Sequence, residues 1–177
     1  SNDLASAEVY DAATGSFALA GRMSAARRGH LALVLPHNNQ VLLVGGSAES
    51  AEAELYVPWR GLFRRTGSLV EPRAEAAGAA LGLEGWVVLS GGKSRNRALA
   101  SSDLYRFPTI RTDQESFGAG ETIGVSGAGW QPGERVTLAL RALRGGKESR
   151  AVSLTADVAG NFYSRDFRGG EVDLGPQ

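Results

Sequence analysis

The sequence predicts an all-β protein assembled from a repeated cassette, on three observations. Ala7-Glu8-Val9-Tyr10 returns as Ala53-Glu54-Leu55-Tyr56 and as Ser102-Asp103-Leu104-Tyr105, and Gly45-Gly46 returns as Gly91-Gly92. The interval is constant: Tyr10 to Tyr56, Gly15 to Gly61, Phe17 to Phe63, Gly21 to Gly67, Arg27 to Arg73 and Gly46 to Gly92 each span 46 residues. Short apolar runs alternate with polar or glycine-bearing turns throughout. Self-similarity at a fixed period of this length marks a chain that stacks copies of one small unit.

Glu8-Val9-Tyr10 and Phe17-Ala18-Leu19 read as two strands joined across 11–15. Residues 30–35 (His-Leu-Ala-Leu-Val-Leu) and 41–44 (Val-Leu-Leu-Val) read as a hairpin around the polar stretch 36–40. Residues 79–83 and 86–89 repeat that pair around Glu84-Gly85. Tyr56 to Tyr105 is 49 residues, because the loop after Gly92 is three longer than the one after Gly46. Each period then holds about four short strands. Strands this apolar are usually covered on both faces, and sheets packed face to face around an axis meet that need, as in a β-propeller. The glycine pair closes an apolar strand, where glycine permits φ > 0 and close backbone approach.

Residues 3–107 resemble the bacterial kelch repeat. The carrying residues are Ala7-Glu8-Val9-Tyr10-Asp11, Thr14-Gly15-Ser16-Phe17, Gly21-Arg22-Met23, Ala26-Arg27-Arg28-Gly29-His30 and Val41-Leu42-Leu43-Val44-Gly45-Gly46. The second copy is more degraded: Val57-Pro58-Trp59 replaces Asp-Ala-Ala, and Arg73-Ala74-Glu75-Ala76 replaces Arg-Arg-Gly-His. The resemblance implies propeller blades of four antiparallel strands. The chain would hold the outer half of one repeat (3–19), one full repeat (22–65) and part of a third (68–107). That is an incomplete propeller of two to three blades, expected as a piece of a longer protein because propellers close with about four to eight.

Past Tyr105 the pattern changes. Pro108 breaks the strand, and a miniature repeat follows, Gly120-Glu121-Thr122-Ile123 and Gly133-Glu134-Arg135-Val136. Strands are expected near 109–113, 122–126, 135–143, 150–156 and 161–167, which reads as a β-sandwich. The stretches Phe117-Gly118-Ala119-Gly120-Glu121-Thr122, 126–134 (Ser-Gly-Ala-Gly-Trp-Gln-Pro-Gly-Glu) and 157–162 (Asp-Val-Ala-Gly-Asn-Phe) resemble a bacterial immunoglobulin-like domain. Such domains have about seven strands, so a partial sandwich lacking its last strand or strands is expected. The expected domains are 1–108 and 109–177.

Charge is balanced, 19 basic against 19 acidic residues, which argues against nucleic acid as the main partner. The chain has no cysteine, hence no disulfide, thiolate metal site or cysteine nucleophile. No run of 18 apolar residues predicts a transmembrane span.

The candidate chemistry is sparse. His30 reads as a buried histidine at a strand start, and His37 as a solvated turn residue. Gly91-Gly92-Lys93-Ser94 imitates the end of a phosphate-binding loop, but Val87 stands where that loop needs glycine and no helix follows. Asp157, Asn161 and Asp166 read as a hairpin turn rather than a calcium site. Lys93, Arg95 and Arg97 form a basic loop able to face an acidic glycan or protein. Arg27 and Arg73 recur in phase, which favours structural hydrogen bonding, though loops of this kind can also face ligand. Trp59 replaces a polar position of the first repeat and is the best candidate for an exposed aromatic, whereas Trp86 and Trp130 read as packing residues.

These residues form no coherent acid–base or nucleophile set. The expectation is a non-catalytic binding or structural module without cofactor or metal, from a secreted or cell-surface bacterial protein. Its partners would be protein chains or remaining blades, and glycan is a further candidate. One alternative is a subunit of an extracellular filament joined by strand addition. Another is part of a galactose-oxidase-like copper enzyme, a resemblance weakened by the missing cysteine and by the lack of any histidine after His37.

Overall fold

A computed structural model of the chain describes residues 3–47, 49–81, 84–141 and 148–169. Among them the chain is all-β. Every strand pairing is antiparallel, and the one helical element is a 3-10 turn, Pro58–Arg60. No helix among the described residues is long and apolar enough to cross a membrane. The chain divides into two compact units, Ser1–Arg106 and Phe107–Gln177.

In the first unit, β1 (Leu4–Asp11) and β2 (Ser16–Arg27) form a hairpin. Strands β3 (Leu31–Val34), β4 (Val41–Val44), β5 (Glu54–Val57) and β6 (Leu62–Arg65) form a four-stranded sheet in that order. Strands β7 (Ala77–Leu81) and β8 (Trp86–Ser90) are followed by a small hairpin, β9 (Lys93–Ser94) and β10 (Arg97–Ala98). Then β11 (Ser102–Arg106) completes a sheet of order β11-β8-β7.

The sequence period is also a structural period. Glu8, Val9, Tyr10 and Asp11 pair with Leu19, Ala18, Phe17 and Ser16. Their counterparts Glu54, Leu55, Tyr56 and Val57 pair with Arg65, Arg64, Phe63 and Leu62, the same register moved by one period. The ring pairs match too: Tyr10 and Phe17 have centroids 5.0 Å apart, as do Tyr56 and Phe63. Leu42 faces Leu55 and Leu43 faces Glu54, while Val88 faces Leu104 and Leu89 faces Asp103. A one-residue slip would turn every side chain to the opposite face, so this agreement fixes which positions enter the interior.

The glycine pairs sit where backbone crowds backbone. Gly45 and Gly46 have φ of 74° and 76°, and Gly91 and Gly92 have 67° and 88°. A Cβ on Gly46 would lie 2.8 Å from the His30 nitrogen, and one on Gly92 would lie 3.0 Å from the Ala76 nitrogen. His30 and Ala76 are themselves one period apart, so both pairs serve the same approach.

Three features depart from the sequence reading. β2 continues through Gly21 (φ 101°) and bends back onto Leu4–Ser6, which buries Ala5 and Met23 against Leu43. β3 and β7 alternate between half-buried and exposed positions instead of being covered on both faces; Val34 is 71 % exposed. The basic loop, expected without strands of its own, carries the short β9–β10 hairpin. The expected strand 79–83 ends on residues that lie outside the described ones.

In the second unit, β12 (Thr109–Thr112), β13 (Thr122–Ala128) and β16 (Phe162–Arg168) form one sheet in that order. β14 (Arg135–Arg141) and β15 (Glu148–Thr155) form a second. Ile123, Val125, Val136, Leu138, Phe162 and Phe167 make the core, each burial stabilising by about 1.5–3 kcal/mol. Trp130 packs on Phe162 and donates its ring N–H to the Thr109 carbonyl at 3.2 Å. The miniature repeat has one structural role. Glu121 accepts the Gly118 N–H and Glu134 accepts the Gln131 N–H, each at 2.9 Å and three residues back, beside left-handed Gly120 and Gly133. Asp157 closes the last turn by accepting the Ala159 and Asn161 N–H groups at 2.8 and 2.9 Å, and Gly160 (φ 78°) bends the chain there.

Candidate functional site

The two recurring arginines are interior groups, in keeping with the structural hydrogen-bonding role their recurrence favoured, and their burial leaves neither Arg27 nor Arg73 to face a ligand. Arg27 donates to the Gly45 and Glu52 carbonyls, each at 2.8 Å, and pairs with the Glu54 carboxylate at 3.0 Å. Arg73 donates to the Gly91 and Ser101 carbonyls at 2.8 and 3.0 Å and lies 2.6 Å from the Asp103 carboxylate. Both side chains are almost wholly buried. Each carboxylate also accepts a backbone N–H from the start of its own repeat, Ser24 for Glu54 and Val70 for Asp103. Ser24 and Val70 are one period apart, so this is one clamp built twice. The planar guanidinium fork suits such a crossing of carbonyls and carboxylate. Burial pushes the Glu54 carboxyl up, but the Ser24 N–H and the Arg27 guanidinium outweigh it and hold the group below its ordinary value. Burial, reinforced by the Arg27 charge, pushes half-buried His30 down.

The other candidate residues lie on the surface. Lys93, Arg95 and Arg97 come from the β9–β10 hairpin, and all three are exposed. Arg97 pairs with Glu71 and Lys93 with Glu75, each at 2.7 Å. Lys93 thereby holds the exposed Glu75 carboxyl below its ordinary value. Among the described residues, no hydrogen bond or ion pair engages Arg95. It lines two clefts. One, of about 590 Å³, is open and bounded by Glu49, Pro72, Ser94, Arg95, Asn96 and Arg97. The other, of about 180 Å³, is lined by Asp3, Arg28, Gly46, Ala74, Glu75, Lys93 and Arg95.

Backbone strain gathers at the smaller cleft. Glu75 and Arg95 have φ of 56° and 53°, a conformation that costs a residue with a Cβ about 1 kcal/mol or more. Glu75 occupies the position of Gly29, which has φ 66° in the preceding repeat. A charged side chain thus stands where the backbone prefers glycine, and its N–H donates to the Gly29 carbonyl at 2.8 Å. Sequence reasoning saw Glu75 only as degradation of the repeat. The available signal was acid in place of glycine at a position in phase with Gly29.

Trp59 lies elsewhere, at the 3-10 turn between β5 and β6, and is 62 % exposed. It lines neither cleft. Asp157 is committed to its turn, and Asp166 accepts from the Ser164 hydroxyl at 2.7 Å. No group of three or more metal-ligating side chains occurs among the described residues. Compared with known proteins, the chain matches no family model and no curated sequence.

Proposed function

We propose that the chain is a binding or structural module, with kelch-type propeller blades followed by an immunoglobulin-like sandwich. It serves adhesion or assembly, through protein or glycan partners, in an exported or cell-surface bacterial protein. The period shared by sequence, strand register and ion pairing supports the blade reading. The observation that carries a binding role is the strained, charged surface at the ends of successive repeats. Arg95 is held there in a left-handed conformation at the junction of two clefts, with its guanidinium exposed. Such a guanidinium offers bidentate contact to a carboxylate or sulfate. The test is a glycan array probed with the chain and with its Arg95→Ala and Trp59→Ala variants. Retention of acidic glycans that Arg95→Ala abolishes is the expected result. Retention indifferent to Arg95, or none at all, contradicts the glycan reading.

A second reading, assembly by strand addition in the sandwich, is favoured by an apolar groove of about 540 Å³. Ile110, Phe117, Ile123, Val125, Leu138 and Phe167 contribute to its lining. In this reading an added strand lies beside the β12, β14 and β16 residues that border the groove.

A further inference from the structure

We infer, resting on the reading that Arg95 engages an acidic ligand, that the smaller cleft takes singly charged oxyanions and that Glu75 is the residue that turns doubly charged ones away.

Glu75 does little for the fold that holds it. Its φ is 56°, where Gly29, one period earlier, has 66°, so a glycine would adopt this backbone without strain. The ion pair it makes with Lys93 spans 2.7 Å between side chains that are 61 % and 59 % exposed. A pair this open contributes little, because water screens it and two long side chains must be held in one geometry. The left-handed backbone costs more than such a pair supplies. Lys93 is itself a change of residue: it follows Gly92, whereas Ser47 follows Gly46. Glu75 and its partner therefore enter this repeat together, on a surface the fold does not require to be charged.

The cleft gives that charge a use. Among the described residues, the cations Arg28, Lys93 and Arg95 and the carboxylates Asp3 and Glu75 border about 180 Å³. Asp3 lies 3.9 Å from Arg28, and Glu75 lies 2.7 Å from Lys93. Each carboxylate thus offsets a neighbouring cation, and Arg95 supplies the one positive charge left over. Lys93, with Arg28 behind it, holds the Glu75 carboxyl below its ordinary value, so the group is ionised at neutral pH. A carboxylate or a sulfate ester brings a single negative charge and meets that balance. A phosphate monoester carries nearly two and meets Glu75 as a like charge. Selectivity then comes from a repulsion placed in the site and not from a stronger attraction.

The probes are glucuronate, glucose 6-sulfate and glucose 6-phosphate, which share a sugar and differ in the acid group, titrated into the full chain at neutral pH and followed by NMR chemical shifts. The parent is expected to bind glucose 6-phosphate about fivefold or more weakly than the other two. Tighter binding of either glucuronate or glucose 6-sulfate, with the phosphate behind both, supports the inference and names the acid group. Glu75→Gln removes the charge and keeps the size, and Glu75→Gly restores the residue of the preceding repeat. Both are expected to bring glucose 6-phosphate level with the other probes, and Arg95→Ala to abolish all three. Glu75→Gly should melt no lower than the parent; a lower melting temperature would make Glu75 a residue the fold needs and overturn the inference. Equal affinity of the parent for the three probes, or a preference that survives in both Glu75 variants, overturns it and leaves the role of Arg95 standing. Binding of none of the probes, or binding indifferent to Arg95→Ala, removes the role of Arg95 and the inference with it.

Discussion

Arg27 and Arg73 are the residues on which the first unit turns. A buried ion pair is not in itself a large source of stability, because desolvation offsets the attraction, yet removing one member strands the other and costs about 3–5 kcal/mol. Glu54 gives this a pH signature. Its carboxyl is held below the ordinary value of 4.5, so its contribution is present in full above 4.5 and is lost as pH falls through the depressed value. Glu54→Gln is expected to be much less stable than the parent in urea at pH 7, and the gap should narrow on acidification below 4.5. A gap constant with pH would mean that the carboxylate charge is not what Arg27 engages. The sequence exposed the recurrence of both arginines but not their partners. Arg27 and Glu54 are 27 residues apart, and only the fold brings that separation to contact distance. The exposed position of Trp59 was legible because a large aromatic replaced a polar residue in phase. The cleft at Arg95 was not, since Asp3, Arg28 and Glu75 reach it from three different segments.

Elements were more legible than contacts. The strand positions in both units follow the apolar runs closely, because alternation and turn residues are local signals. What escaped was the length of β2 and the β9–β10 hairpin. The first depends on a bulge at Gly21, and the second on pairing between residues with no apolar pattern. The glycines of the repeat separate into two classes that sequence alone does not distinguish. Gly15 and Gly61 turn their hairpins with φ of 66° and 60° and have no atom within 4 Å of a built Cβ. Gly46 has the same sign of φ, but His30 and its backbone fill the space. Gly61→Ala should therefore cost about 1 kcal/mol, the backbone preference alone. Gly46→Ala should cost roughly 3 kcal/mol or more, since strain and overpacking add. Urea denaturation of the two variants checks the order, and equal costs would deny the close approach.

For the whole molecule, what matters is that one period organises sequence, register and charge in the first unit. It closes each repeat on itself through a guanidinium that crosses the glycine strand end and meets the acid of the same repeat. The second unit obeys a different local rule, with glutamates closing glycine turns around an apolar core. Its strands were legible in part from alternation in β14 and β15. This closure of each repeat is the central claim, and a double-mutant thermodynamic analysis of the two clamps tests it most directly. The in-phase pairs Arg27 with Glu54 and Arg73 with Asp103 should each show a coupling of about 1–3 kcal/mol, while the out-of-phase pair Arg27 with Asp103 should be additive within about 0.5 kcal/mol. Additive in-phase pairs, or coupling of the out-of-phase pair as strong as theirs, would contradict the account.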